Sequence, residues 1–347
     1  MGDKVWSRRG VAVLAAVLVV WVVVPVGAAA NPSATCVSEG RAPGDPGTIV
    51  ERDRNTLVVT GTDAADRVEV GRLNGAVTVL TSFAGSYTFG GEFFMDVEVY
   101  GCRGGDSIVI GSSPFSFLYA YGDEGRDRLD SRAADDRDNF INLFGGSGND
   151  ELLAGDVVGD MALHGGPGND VIEAGRGGTS GNAAADGGSG NDTIRVGDVQ
   201  LERWIVRGGS GNDVIEAGDS LALEGYNLDG GPGNDTITMG VAGPYGSPVD
   251  IVGGLGRDTI SVSAVRVEGT GVLLTGGEGR DQLTIGDLTV FSDGFVRLSG
   301  NEGGDTLTVG DNLLDAASTG PIELDGGPQK DTCATGSGVF IVISCER

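Results

Sequence analysis

The sequence predicts an all-β protein in which coils of about 20–26 residues stack into a solenoid. Three observations predict this fold: a repeated glycine-rich nonapeptide, two apolar columns at constant distance from it, and a large excess of glycine. Glycine accounts for 64 of 347 residues, whereas its usual share is about 7 %. The chain has only 11 prolines and no G-X-Y period, so the glycines do not indicate collagen.

The nonapeptide reads G-G-x-G-x-D over its first six positions. Seven full copies begin at Gly145, Gly165, Gly187, Gly208, Gly230, Gly253 and Gly276. Degraded copies place Asp66, Asp106, Asp127, Asp305 and Asp331 in the aspartate slot. From Asp106 onward, successive aspartates of this slot lie 20 to 26 residues apart, which sets the length of the predicted coils.

Two apolar columns accompany the motif. Two residues after the aspartate the chain places Val, Ile or Leu, as at Ile172, Ile194 and Ile215. Seven residues before it stands another apolar residue, such as Leu163 or Val206. Because the neighbours are mostly polar, each column predicts a strand with one buried and one exposed face. A coil is therefore a strand, a glycine turn, a second strand and a return stretch.

The cysteines and flanking segments predict how the solenoid is closed. Cys36, Cys102, Cys333 and Cys345 allow three pairings of two disulfides. Cys333 with Cys345 closes a short loop at the C-terminus and leaves Cys36 for Cys102. Cys333 also stands in an apolar slot, so this bridge would cover the open end of the core. The predicted divisions are an irregular β cap with the first coils at 31–100, the solenoid at 101–332 and a disulfide-closed cap at 333–347.

Residues 1–30 resemble an export signal. Lys4, Arg8 and Arg9 precede an apolar run from Val11 to Val26, and three alanines at 28–30 offer a cleavage site. The general secretory route is favoured, although Arg8-Arg9 also resembles a twin-arginine signal and an uncleaved anchor is an alternative. We therefore expect a secreted protein, extracellular or at the cell surface, with no membrane span after cleavage.

The net charge of −27 at pH 7 limits the partners. Such an excess of acidic residues argues against nucleic acid and anionic membranes as partners, and it fits a protein that binds cations. The regular position of the aspartates favours that interpretation over a merely soluble surface. Stacked coils would bring like charges within about 4.8 Å of each other, where a divalent cation between loops would relieve their repulsion. Calcium suits such loops because it takes six to eight oxygens from carboxylates and carbonyls.

The repeat G-G-x-G-x-D-x-U-x resembles the haemolysin-type, or RTX, calcium-binding family. The resemblance covers residues 101–331 and implies a parallel β-roll with calcium between consecutive loops, about six ions in all. The implied aspartate ligands are Asp127, Asp150, Asp170, Asp192, Asp213, Asp235, Asp258, Asp281 and Asp305. The implied loop glycines are Gly146, Gly148, Gly166, Gly168, Gly188, Gly190, Gly209, Gly211, Gly231, Gly233, Gly254, Gly256, Gly277 and Gly279.

This chain departs from the family pattern in two respects that bear on function. Its full nonapeptides are separated by 11 to 14 other residues, so calcium is expected along one edge only. No lipase, protease or pore-forming segment accompanies the repeats. We therefore expect calcium-dependent folding and a structural or adhesive role, with cell-wall or extracellular glycan as a candidate partner.

Two alternative functions follow from the sequence. Some solenoids are polysaccharide lyases or hydrolases, but His164 is the only histidine, no G-x-S-x-G motif occurs, and no catalytic residue is predicted. An ice- or surface-binding face is the second alternative. It would use the threonine-rich pairs 236/238, 259/261, 282/284 and 306/308, although threonine is also an ordinary exposed strand residue.

Overall fold

The computed structural model describes residues 48–52, 56–74, 76–89, 96–112, 116–134, 140–156, 159–176, 182–198, 203–220, 225–243, 246–314 and 320–346. These residues form strands and turns, with no helix among them. The predicted export signal and Cys36 lie outside the described residues. Among the residues that can be described, no helix is long and apolar enough to cross a membrane.

The strands belong to two sheets. In chain order they are β1 (Thr48–Arg52), β2 (Thr56–Thr60), β3 (Arg67–Leu73), β4 (Ala76–Thr81), β5 (Gly85–Phe89), β6 (Asp96–Tyr100), β7 (Ser107–Ile110), β8 (Phe117–Glu124), β9 (Arg128–Asp130), β10 (Phe140–Ser147), β11 (Glu151–Ala154), β12 (Met161–Pro167), β13 (Val171–Ala174), β14 (Asn182–Ser189) and β15 (Thr193–Val196). They continue with β16 (Arg203–Ser210), β17 (Val214–Ala217), β18 (Tyr226–Pro232), β19 (Thr236–Ala242), β20 (Val249–Gly256), β21 (Thr259–Glu268), β22 (Gly271–Gly279), β23 (Gln282–Phe291), β24 (Phe295–Gly303), β25 (Thr306–Val309), β26 (Asn312–Leu314), β27 (Ile322–Asp325), β28 (Thr332–Thr335) and β29 (Ile341–Ile343).

The two sheets are the walls of a parallel β-solenoid, and the chain alternates strictly between them from β6 to β25. Sheet A has 14 strands in the order β1-β2-β6-β8-β10-β12-β14-β16-β18-β20-β22-β24-β27-β29. Sheet B has 15 strands; its main order is β28-β25-β23-β21-β19-β17-β15-β13-β11-β9-β7-β3-β4-β5, and β26 also pairs with β23. Each coil runs along sheet A, turns through the glycine loop, runs back along sheet B and returns. All glycine loops therefore lie along one edge.

Both predicted apolar columns are confirmed as the core. Ile172, Ile194 and Ile215 lie in register on adjacent strands of sheet B and are fully buried. Sheet A contains a matching buried column, in which adjacent strands place Leu163, Ala185 and Val206 in register. Because every coil offers its apolar side chains to the coils above and below, the core becomes continuous only through stacking.

The two ends of the solenoid differ from its middle. β1 pairs antiparallel with β2, and β4 and β5 extend sheet B as antiparallel strands beside β3. At the other end Cys333 lies in register with Leu307 and forms the predicted disulfide with Cys345. Cys102 is buried and disulfide-bonded; Cys36, the partner predicted for it, is outside the described residues.

The outer face of sheet A carries a column of stacked rings. Tyr100, Tyr121, Phe144 and His164 each stand immediately before a glycine loop, and neighbouring ring centroids lie 4.8–5.1 Å apart with planes within 6° of parallel. Burial lowers the pKa of His164, because removal from water disfavours the charged imidazolium. The ring of His164 therefore continues an aromatic stack.

The outer face of sheet B carries polar and charged columns. Arg195 lies between Glu173 and Glu216 of the neighbouring coils and forms an ion pair with each. Further along, Thr238, Ser261 and Thr284 follow one another in register. Gln282 interrupts the parallel column that runs from Thr236 to Thr306. The threonines thus form two short columns of exposed or half-exposed side chains.

Replacing Ile194 with Ala tests the continuity of the core. The side chain is fully buried between Ile172 and Ile215, so its loss should destabilise the calcium-loaded protein by about 2–5 kcal/mol. Arg195→Ala, on the outer face of the same strand, should cost about 1 kcal/mol or less because exposed ion pairs contribute little. Urea denaturation in saturating calcium measures both. Equal losses in the two variants would contradict a continuous buried column.

Candidate functional site

The motif aspartates form one continuous column along the loop edge. Each carboxylate is buried, with at most 7 % of the residue exposed. Oδ1 of each aspartate accepts the backbone N–H of the aspartate in the preceding coil; Asp150 N–H donates to Asp170 Oδ1 at 2.7 Å, and Asp170 N–H to Asp192 Oδ1 at 2.7 Å. The same bond recurs from Asp66 to Asp331. This ladder fixes the vertical register of the loops.

The second carboxylate oxygen of the column has a different environment. Oδ2 is buried and accepts no hydrogen bond from the protein at Asp106, Asp127, Asp150, Asp170, Asp192, Asp213, Asp235, Asp258, Asp281, Asp305 and Asp331. Asp66 differs, because its Oδ2 accepts the Thr62 N–H at 2.6 Å and its Oδ1 accepts the Ser82 hydroxyl at 3.1 Å. A buried carboxylate oxygen without a donor is costly, so the repeated arrangement calls for a cation.

The first glycine of each loop leaves space beside this oxygen. A Cβ on Gly145 would lie 2.6 Å from Asp150 Oδ2 and 2.7 Å from the carbonyl oxygen of Gly165 in the next loop. The corresponding oxygens flank Gly208. A Cβ on that residue would lie 2.6 Å from Asp213 Oδ2 and 2.6 Å from the Gly230 carbonyl oxygen. A carboxylate oxygen and a carbonyl oxygen of consecutive loops therefore face the same small space.

The second and fourth glycines give the loop its shape. Gly146 and Gly148 have φ of 102° and 148°, which residues with a Cβ rarely adopt. Their carbonyl oxygens face Gly166 and Gly168 of the next loop, so closely that a Cβ there would overlap them. The predicted loop glycines all share this conformation, and their carbonyls point along the stack toward the following coil.

A second ladder holds the loops from outside. At the fifth loop position the N–H of Asn169 donates to Oδ1 of Asn149 at 2.7 Å, and that of Asn191 donates to Oδ1 of Asn169 at 2.6 Å. The ladder continues to Arg257. It points in the opposite direction to the aspartate ladder, so each loop is bonded to both neighbours by side chains as well as by backbone.

Burial disfavours the ionised form of the aspartates in the column. Removal from water raises the pKa of Asp170 to about 8 and those of Asp192 and Asp235 to about 7. The same cause raises the pKa of Asp150 and Asp281 to about 6. The backbone N–H bond to each carboxylate lowers the pKa but does not cancel the effect of burial. Near neutral pH the charged column therefore requires either protons or a compensating cation.

The donor set fits a hard cation. Within the described residues, no group of three or more His, Cys, Asp or Glu side chains could by itself hold a metal ion. Carboxylate Oδ2 atoms and backbone carbonyl oxygens are the available donors, and they are the ligands that calcium prefers. The nine predicted aspartates all lie in the column, and so do Asp106 and Asp331, which the predicted ligand set leaves out. That set also misses the carbonyls of the first glycines, although their constant place five residues before each aspartate marks them.

The opposite edge of the solenoid is built differently. Several return turns contain a Gly-Asp pair, and Asp156 Oδ1 accepts the Arg176 N–H at 2.7 Å while Asp219 Oδ1 accepts the Val241 N–H at 2.7 Å. These aspartates are half-exposed or exposed rather than buried. Their role is to cap backbone groups of the next coil, as an ordinary turn requires.

Comparison with known proteins agrees with the geometry of the loops. Four segments, at residues 142–156, 162–177, 205–220 and 227–238, match the RTX calcium-binding nonapeptide repeat. No curated protein and no solved structure matches the chain. The copies at Gly187, Gly253 and Gly276 lie outside the matched segments but have the same loop conformation and the same buried aspartate. The chain is thus a β-solenoid that carries RTX calcium-binding nonapeptide repeats.

Proposed function

We propose that this protein is exported, folds as calcium binds along its loop edge, and then has a structural or adhesive role without catalysis. One observation carries the proposal: successive buried aspartates each present an Oδ2 atom without a protein donor beside a carbonyl of the next loop. Seven full loops enclose six gaps, so about six ions are expected there, and the column extends beyond them at both ends.

The energetics favour coupled folding and binding. Glycine-rich loops lose more conformational entropy on folding than other loops, and the column brings carboxylates together at about 4.8 Å. Calcium at tenfold excess over its dissociation constant adds roughly 1.4 kcal/mol per site. Several such sites reach the order of 5–15 kcal/mol that stabilises a typical domain. Calcium is therefore expected to decide whether the solenoid forms.

The disulfides support export. Cys333–Cys345 closes the C-terminal end and Cys102 is also disulfide-bonded, whereas such bonds are rare in reducing compartments. The signal-like segment at 1–30 points the same way. An extracellular location would also supply the calcium that the loops require.

The groove beside the loops is the surface that we propose for an adhesive partner. It is shallow, and its walls include Pro232, Val252 and Leu255 together with Glu278 and Glu302. Both glutamates are exposed, so neither lies in the water-excluded surroundings that adjust catalytic acids and bases. In this proposal the regular buried aspartates are ligands of the cation and not catalytic groups, and the partner is a glycan at the cell surface.

At pH 8, where most of the aspartate column has lost its protons, removing calcium should unfold the solenoid. Circular dichroism of the mature protein, followed during titration from excess chelator to millimolar calcium, should show β structure appearing with calcium uptake measured in parallel by equilibrium dialysis. Magnesium is the control, because it demands near-octahedral geometry and retains its waters. Unchanged β content in chelator would contradict coupled folding, and no calcium uptake at millimolar concentration would contradict binding itself.

The stability of the calcium-free protein should fall as pH rises from 5 to 8. The folded pKa values of about 6 to 8 at Asp150, Asp170 and Asp192 lie above the unfolded value of about 3.9. The folded state therefore binds more protons than the unfolded state in this range, and raising the pH removes that advantage. Calcium replaces those protons, so its affinity should increase with pH.

Thermal unfolding in chelator and in saturating calcium checks the sign of this dependence. In chelator the melting temperature should decrease with pH until no folded protein remains at pH 8, and its difference from the calcium-loaded protein should widen up to that point. A melting temperature in chelator that rises from pH 5 to pH 8 would show that the column is not buried as described.

A further inference from the structure

One loop of the column carries a carboxylate that the repeat does not explain. In the loop Gly122–Asp127 the second position, which is glycine in every full repeat, is Asp123. Asp123 has φ of 75° and is completely buried. The slot itself accepts residues other than glycine, because Cys102 and Asn301 occupy it with φ of 82° and 70°. The distinctive property of Asp123 is a carboxylate that is fully buried there.

The side chain of Asp123 extends toward the preceding loop, Gly101–Asp106. Its carboxylate accepts a backbone hydrogen bond from Cys102, and the same two loops are joined by the Glu124 N–H donating to the Cys102 carbonyl at 2.8 Å. The negative charge of Asp123 also acts on Asp106 in the preceding loop and is itself opposed by Asp127. We call the space between these two loops the first gap.

The first gap also contains the pair of oxygens found in the repeats, an aspartate Oδ2 and a carbonyl oxygen of the next loop. Asp106 Oδ2 and the Gly122 carbonyl oxygen lie within 2.5 Å of the point that a Cβ on Gly101 would occupy. Asp106 is 3 % exposed and its Oδ2 has no protein donor, whereas Asp127 reaches this gap with Oδ1, which accepts the Asp106 N–H at 2.7 Å. The repeat-type donor pair is therefore present, and the buried carboxylate of Asp123, which accepts the Cys102 N–H, adds a negative charge between the same two loops.

We propose that the first gap is a divalent-cation site with a higher affinity than the repeat gaps, because Asp123 supplies an extra carboxylate. The inference rests on the proposed calcium binding of the column. The charge of the ligand set is one of the properties that sets calcium affinity, and the buried charges of Asp106, Asp123 and Asp127 require more compensation than one aspartate per loop. We expect half-saturation at roughly tenfold lower free calcium than in the repeats.

Two tyrosines provide a local probe of this site. Tyr100 directly precedes Gly101 and Tyr121 directly precedes Gly122, and their rings stack at 4.8 Å. Before the seven full repeats stand Phe144, His164, Asp186, Arg207, Asp229, Val252 and Thr275. Terbium, which takes oxygen ligands like calcium, should therefore show tyrosine-sensitised emission chiefly from the first gap.

The experiment titrates the full mature chain with terbium and then displaces it with calcium, alongside calcium uptake by equilibrium dialysis. Sensitised emission should saturate at the first equivalent of metal.

The variants test the role of the extra carboxylate. Asp123→Gly restores the repeat sequence and should retain a site in the first gap, but this site should fill together with the repeat sites. Asp123→Asn should have the same effect, whereas Glu124→Gln removes a neighbouring half-exposed carboxylate and should leave the emission titration unchanged. Circular dichroism of calcium-loaded samples verifies that each variant is folded.

Asp192→Asn separates this inference from the proposed function. It should reduce uptake by the repeats while leaving the early tyrosine-sensitised emission intact. If emission in the wild type appears only as the whole array fills, or if Asp123→Asn and Asp123→Gly leave it unchanged, the first gap is not a tighter site although the repeats still bind calcium. If the wild type takes up no calcium, the proposed function fails as well.

Discussion

The structure depends on a column of buried carboxylates whose negative charge must be neutralised either by protons or by a cation. Each motif aspartate uses Oδ1 to hold the coil before it and leaves Oδ2 buried without a donor. The hydrogen-bond ladder brings the charges together, and the same burial raises the pKa of Asp170 and Asp192. Fold and cation binding are thus consequences of one constraint, because the register that forms the core also forms the sites.

Much of this architecture could be predicted because it repeats at constant spacing. Ile194 and Ala185 occupy fixed distances from Asp192, and strand alternation alone assigns both to the core. The short separation of Cys333 and Cys345 favoured their pairing among three possibilities, and the apolar slot of Cys333 predicted that this bridge lies at the end of the core. The positive φ of the second and fourth loop residues was predictable, because both are glycine in every full repeat and glycine adopts such φ without steric cost.

Other features depend on contacts between coils that no single repeat contains. The opposite directions of the aspartate ladder and the Asn149–Asn169 ladder can be seen only when loops are placed one above another. The same is true of the Gly165 carbonyl that lies beside Asp150 Oδ2. The stack from Tyr100 to His164 has a signal in the sequence, since each residue precedes a loop glycine, but its ring geometry does not. The buried carboxylate of Asp123 was not predicted, because the repeat pattern places glycine at that position.

The most direct test of the account is the position of bound ions in a crystal of the calcium-loaded protein. Anomalous difference density should show a row of peaks along the glycine-loop edge, each about 2.3–2.6 Å from an aspartate Oδ2 and from carbonyl oxygens of adjacent loops. A loop edge without peaks, or ions bound instead at the return turns near Asp156 and Asp219, would contradict the central claim that the buried column is completed by calcium.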